Sequence, residues 1–292
     1  MRAPKICANA MRLLFAFLFI SASLSTPFFF KKGFKLPPVY EHIPPYNPNW
    51  EFSLPNLDIQ NILHQKFSYF SNGNQSTVFL SEDGKYVLKL FRYTRSRFTF
   101  LHKLKNAFKK NPKMDLMTKI NKTLNAACLG CTDAKKFTQA IYCHLNLSKN
   151  QLPIVELDYK KSLYHLPIDR YRFIIQRKLT PFKEALIEVR NDSEQIENYM
   201  LSFATLLFER SCLNIRNSDP NLGPDFGFFN GEAVELDFGN YHRIEPSKAR
   251  RIKEYDNLMN RFEDWISAAM PEYLSMLKSL RLKVRTSYDA DT

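Results

Sequence analysis

The stretch Phe67-Ser-Tyr-Phe-Ser-Asn-Gly-Asn-Gln-Ser-Thr-Val-Phe-Leu-Ser-Glu-Asp-Gly-Lys-Tyr-Val-Leu-Lys-Leu-Phe-Arg92 holds three short aromatic and β-branched runs, at 67–70, 77–80 and 86–91. Such runs suit the pleated, half-buried surface of a sheet. Residues 71–74 (Ser-Asn-Gly-Asn) join the first pair, and 82–85 (Glu-Asp-Gly-Lys) turn the chain before the third, because glycine and asparagine tolerate positive φ. The expectation is an antiparallel meander with Lys89 inside its third strand. A lysine between Leu88 and Leu90 either snorkels from a sheet edge or meets a negative partner that offsets its desolvation.

Working outward, the stretch between Lys35 and Pro55 carries five prolines with Tyr40, Tyr46 and Trp50, which predicts an extended linker before any core. Downstream, 95–125 are polar and basic with helical spacing, interrupted at Asn111-Pro112, so two helices are expected. A further helix is expected over 134–145, where Phe137, Ile141 and Leu145 share a face. Residues 153–157 and 171–176 read as two more strands, for about five in the sheet. Asp192 or Ser193 can cap a helix to about Arg210. A turn-rich loop at 217–225 leads to a hairpin, 226–229 and 233–236 about Asn230-Gly231, and 246–282 again carry a helical apolar stripe.

Taken together, three strands with a glycine-bearing first turn and a lysine on the third, then a helix, a polar loop, and a hairpin ending in Asp237-Phe238-Gly239, resemble divergent members of the protein-kinase-like superfamily. The resemblance covers about residues 60–282 and is similar to poorly described bacterial kinase-like proteins. It implies an α+β, two-lobed fold: a small antiparallel sheet lobe, a mainly helical lobe, and here an N-terminal hydrophobic helix. The implied division is 1–30 as signal peptide or membrane anchor, 31–59 as Pro-rich linker, 60–180 as the sheet lobe with a basic helical insertion, and 181–292 as the helical lobe.

The same resemblance implies roles for single residues. Against Val78, the three phosphate-loop glycine positions fall on Ser71, Gly73 and Ser76, with Asn72, Asn74 and Gln75 as further donors; an ordinary polar hairpin explains the same residues. Lys89 takes the place of the lysine that pairs with the α and β phosphates. No glutamate occurs between Asp83 and Val155 to hold it, and Asp133 at a helix start is the substitute considered. Asp225 stands where a metal-binding asparagine is expected, and the catalytic aspartate position counted back from it falls on Pro220, one residue after Asp219. Asp237 is the candidate ligand for the metal bridging the phosphates. The implied function is ATP-dependent phosphoryl transfer with Mg²⁺ to an unknown hydroxyl of a protein or small molecule, Lys89 and Asp219 being the catalytic pair. A pseudokinase or nucleotide-binding regulatory protein at a membrane is the alternative.

Composition bounds these readings. The 292 residues are 45% hydrophobic, enough for a sizeable core, which argues against wholesale disorder. Residues 85–122 hold twelve of the 42 basic residues against one acid, Asp115, so the net +13 is concentrated there. Such a block suits a solvated face, phosphates or anionic lipid; without a recognition module, no specific nucleic acid is expected. Arg2, Lys5 and Arg12 precede the uncharged run 13–30, which reads as a membrane attachment, with secretion after signal cleavage as the alternative. Cys7, Cys128, Cys131, Cys143 and Cys212 are too few and irregular for a disulfide scaffold and are expected as mostly buried thiols, zinc at Cys128 and Cys131 being a lesser reading. Four sequons, at Asn74, Asn121, Asn146 and Asn191, matter only in a secretory eukaryotic compartment.

Overall fold

A computed structural model describes residues 44–73, 75–92 and 116–290. The meander forms as the turn chemistry requires: β1 (Lys66–Asn72), β2 (Ser76–Ser81) and β3 (Tyr86–Phe91) pair antiparallel, with Val78 opposite Lys89. Gly84 takes φ +70° in the tight turn, where the Asp83 carboxylate accepts from Ser81 Oγ (2.6 Å) and Lys85 N (3.0 Å). The sheet is larger than expected and mixed. It also contains β4 (Ala140–His144), β5 (Ile154–Tyr159), β6 (Ser162–Pro167) and β7 (Phe173–Arg177), in the order β4-β7-β3-β2-β1-β5-β6, with β5 parallel to β1. The polar stretch between the two predicted strands supplies β6 itself, folded back on β5. Because β3 lies between β2 and β7, Lys89 is on an interior strand, and a sheet-edge lysine is ruled out.

Two further expectations change. The helix read over 134–145 is only α3 (Lys135–Thr138), since Gln139 turns left-handed at φ 53° and the next five residues pair with β7. Its 3.6-residue spacing was too short to separate a helix from a strand. The proline-rich stretch is part of the core at its C-terminal end. Trp50 is buried and its indole donates to Asn125 Oδ1 (2.8 Å) on α2 (Leu116–Cys131), while Pro44 O accepts from the buried Arg172 (3.0 Å). The short α1 (Leu57–Leu63) follows, capped by the Asn56 side chain on Ile59 N.

Below the sheet, α4 (Phe182–Glu188), α5 (Ser193–Cys212), α6 (Lys248–Ala269) and α7 (Leu274–Ala290) surround a small hairpin, β10 (Phe226–Phe229) and β11 (Glu232–Glu235), turned at Asn230 and Gly231 with positive φ and edged by β8 (Thr180–Pro181). Asp192 caps α5 through Gln195 N (3.0 Å). The apolar stripe of 246–282 is divided between two helices, because Pro271 has no amide hydrogen to donate and pushes Met270 out of the helical region. Phe182, Phe203, Phe226 and Phe262 meet at ring separations of 4.6 to 5.3 Å and centre the core of this half. A two-stranded ribbon, β9 (Ile215–Asn217) with β12 (Tyr241–Arg243), flanks the loop between them. Among the described residues no helix is long and apolar enough to cross a membrane, and the run 13–30 lies outside them, as do Asn74 and most of the basic stretch.

Candidate functional site

A cleft of about 770 Å³ opens between the sheet and the lower hairpin, lined above by Ser71, Gly73, Gln75, Ser76, Val78 and Lys89 and below by Asp225, Asp237 and Gly239. The sequence placed these groups far apart in the chain; pairing of β3 inside the sheet and of β10 with β11 brings them to one space. Asp219 does not line the cleft. It is exposed on the loop between β9 and β10, near enough for its charge to act on Asp225.

Lys89 is half-buried, and Nζ donates to the Leu236 carbonyl at 2.6 Å. Burial lowers its pKa, and the Asp237 and Asp225 carboxylates oppose that shift. The helix α2 supplies Ala127 to the same cleft and no acid. Asp133, the substitute considered, is bound elsewhere: its carboxylate pairs with Arg243 on β12. The roof loop is closed by Gly73 N to Ser76 O (2.9 Å) and by Arg92 to the Gly73 carbonyl (2.9 Å). A Cβ on Gly73 would meet nothing closer than 3.5 Å, so the fold itself does not demand glycine there.

The lower acids are held by their own backbone. Asp225 O accepts from Leu236 N (2.6 Å) and Asp237 N (3.3 Å), which fixes the two residues side by side. The Asp225 carboxylate accepts from Asn221 N (2.7 Å), yet burial and the charges of Asp237, Glu235 and Asp219 push its pKa up to about 6. Asp237 is exposed, and its Oδ1 accepts from Gly239 N (3.0 Å). Two neighbouring carboxylates of this kind, one already disfavouring its own ionisation, form an oxygen donor pair that could hold a hard divalent cation. No cluster of three or more metal-ligating side chains exists among the described residues.

Sequence reading missed what lies behind these acids. Asn217, buried at the end of β9, donates from Nδ2 to Glu235 Oε1 (2.7 Å) and to the Asp237 carbonyl (3.1 Å), and accepts from Asp219 N (3.2 Å). Glu235 has no exposed surface; it also accepts from Arg210 Nη1 (2.8 Å) and Tyr241 Oη (2.6 Å), and Arg210 Nη2 reaches Glu254 Oε1 at 2.5 Å. The only sequence signal was a charged residue between Val234 and Leu236 in an apolar strand. Gly130 was missed too. A Cβ there would lie 2.2 Å from the Phe238 ring, so glycine inside α2 is what lets the aromatic residue after Asp237 pack against this helix. At the roof, Gln75 Nε2 donates to Gly239 O at 3.4 Å, and a Cβ on Gly239 would overlap Gln75.

Cys131 and Cys143 are joined in a disulfide between α2 and β4, against the expectation of buried thiols; Cys128 keeps its thiol, donating to Asn49 O at 3.1 Å. Zinc held through both Cys128 and Cys131 is therefore not the arrangement found.

No protein-family model and no curated protein matches the sequence. The chain is similar to several solved structures. One is the bifunctional kinase-methyltransferase WbdD (13% identity, 72% of this chain and 42% of that one, TM-score 0.36). Others are the ROP18 kinase domain in complex with AMP-PNP and sucrose (16%, 61% and 52%, 0.31) and the Rv3197–erythromycin complex from Mycobacterium tuberculosis (16%, 70% and 56%, 0.33). The chain spans 42–56% of the length of these structures.

Proposed function

We propose that the cleft binds ATP with Mg²⁺ and that the protein transfers the γ-phosphoryl group to a hydroxyl acceptor. The observation that carries this reading is the convergence of Lys89 with Asp225 and Asp237 on one cleft large enough for a nucleotide. Phosphoryl transfer asks little covalent chemistry of a protein; positioning and charge compensation supply most of the catalysis. Lys89 would meet phosphate oxygens, relieving the cost of its own burial. Asp225 and Asp237 would hold the metal, which when bound neutralises charge on the phosphates. Ser71, Gly73 and Ser76 would approach the phosphates from the roof. Asp219, held at its amide by Asn217 and near enough for its charge to act on Asp225, would orient the acceptor hydroxyl.

A second reading is favoured by one feature: α2 offers no carboxylate to Lys89, which donates to a backbone carbonyl instead. On that reading the protein binds nucleotide and does not turn it over. Calorimetry of the full-length chain with ATP, with and without Mg²⁺, decides the first point. Binding is expected to depend on Mg²⁺ in the wild type and to lose that dependence in Asp237→Ala; identical titrations of the two proteins would end the metal assignment. Release of ADP over hours of incubation then separates an enzyme from a nucleotide-binding protein.

A further inference from the structure

We propose that a second cavity, beside the edge strand β4, binds a small organic cation through the Glu51 carboxylate and the aromatic rings next to it. This site goes beyond the nucleotide reading and does not depend on it, since the two cavities share no lining residue.

The cavity holds about 440 Å³, inside the range of small-molecule sites, roughly 300–1,000 Å³. One wall is β4 with the loop after it, and the other is the segment 46–54. Both walls are fixed from behind. Asn146 is buried and fastens the two together, accepting from Asn47 N (3.1 Å) and donating to Asn47 O (2.9 Å). Trp50, buried, is anchored by its indole to Asn125 of α2 (2.8 Å). On β4, the Tyr142 and His144 rings rest on Phe173 of β7, at ring separations of 5.9 and 5.2 Å. Side chains locked in this way present a preformed surface to a ligand and lose little freedom on binding it.

Charge gives the cavity its class of ligand. No lysine or arginine lines it, in a chain with 42 of them against 29 acids. His144 is neutral: burial lowers its pKa, Nδ1 faces the Tyr171 carbonyl (2.8 Å) and so carries the proton, and Nε2 is left to accept from Ser148 Oγ (3.1 Å). Glu51 is therefore the one formal charge in the lining. Its Oε2 accepts from Asn146 Nδ2 (3.1 Å), so the buried amide that joins the walls also aims the carboxylate. Desolvation raises the pKa of Tyr46 and of Tyr142, the latter to about 12, and the Glu51 charge raises both further, which puts the two phenols close to one carboxylate. Glu51 is exposed, so its charge alone attracts weakly; the rings add the pull of their negative faces on the same ammonium or guanidinium group. A neutral molecule would use neither attraction, and an anion would meet the carboxylate with no cation beside it.

The test titrates the full-length chain with three molecules of one shape and different charge: 2-phenylethylamine, 2-phenylethanol and phenylacetate. Calorimetry reads the affinities, with ligand-observed NMR for the weakest. The amine is expected to bind about fivefold more tightly than the alcohol, the combined size of an exposed ion pair and a cation–ring contact, and phenylacetate is expected to bind most weakly. Glu51→Gln keeps an acceptor for Asn146 and should bring the amine to the affinity of the alcohol. Tyr142→Leu should weaken the amine about threefold, and Tyr142→Phe, which keeps the ring, should not. The ranking of the three compounds on the wild type decides the matter even if a variant fails to fold. Equal binding of all three, a preference for phenylacetate, or no saturable binding of the amine at millimolar concentrations overturns the proposal. So does a Glu51→Gln protein that still prefers the amine, and so does displacement of the amine by ATP with Mg²⁺, which would place it in the nucleotide cleft.

Discussion

The two walls of the cleft are built in opposite ways. The lower wall is braced from behind: Asp237 and Asp225 share backbone hydrogen bonds, and Asn217 links both Asp237 and Asp219 to the buried Glu235, Arg210 and Tyr241. The upper wall reaches across with single contacts, Lys89 to the Leu236 carbonyl and Gln75 to Gly239. Preorganised charge of this kind suits the metal proposed above, which would need fixed geometry. A roof with few fastenings can instead be ordered by what binds beneath it, at an entropic cost charged to the ligand's affinity.

That contrast breaks most severely at Arg210. Arg210→Ala would take the cation from the fully buried Glu235 carboxylate and leave the nearly buried Glu254 with Arg216 alone, at 3.8 Å. Losing one member of a buried ion network costs about 3–5 kcal/mol, and urea denaturation should register a loss of this size. Arg210→Met paired with Glu235→Leu also removes the fully buried carboxylate, leaving Glu254 beside Arg216, and is expected to cost less than the single change, as double-mutant comparison of the midpoints will show.

Asp225 sharpens the contrast through pH. Its folded pKa, about 6, stands above its ordinary value of 3.8, so the folded chain holds a proton that the unfolded chain has lost between these values. This group's contribution to stability is therefore complete below pH 4 and declines as pH rises through 6. In metal-free buffer, Asp225→Asn should melt higher than wild type at pH 7, converge with it near pH 4, and flatten the slope between. Thermal denaturation across that range checks the sign; a wild type that gains no more stability than the variant on acidification contradicts it.

How much of this was legible follows from the same two walls. Lys89 and its three strands were readable because turn residues and β-branched runs act locally. Asp237 stood out through Phe238-Gly239 and the hairpin before it. What supports them was not readable, because Arg210, Asn217, Glu235 and Tyr241 come from four elements and meet only after α5 packs on the hairpin. Asp133 misled for the complementary reason: its position at a helix start suggested a partner for Lys89, and only the fold shows Arg243 claiming it. Nor could spacing reveal that Cys131 faces Cys143, since that pairing depends on residues 140–144 being a strand and not a helix.

The smallest expected effect is at Gln75, and it bears most directly on whether the roof is fastened by protein or by ligand. Its amide donates to the Gly239 carbonyl at 3.4 Å, near the long limit for such a bond, and its carbonyl end crowds the space a Cβ on Gly239 would take. Gln75→Ala should cost about 0.5–1.5 kcal/mol at most, the range for one neutral hydrogen bond, and leave β1–β3 intact. If the roof is ordered mainly by nucleotide, hydrogen exchange of residues 71–78 in the free variant will match the wild type closely, and ATP with Mg²⁺ will slow it equally in both. If Gln75 is the true fastening, exchange in the free variant will rise, and the affinity for ATP will fall by the cost of reordering the loop.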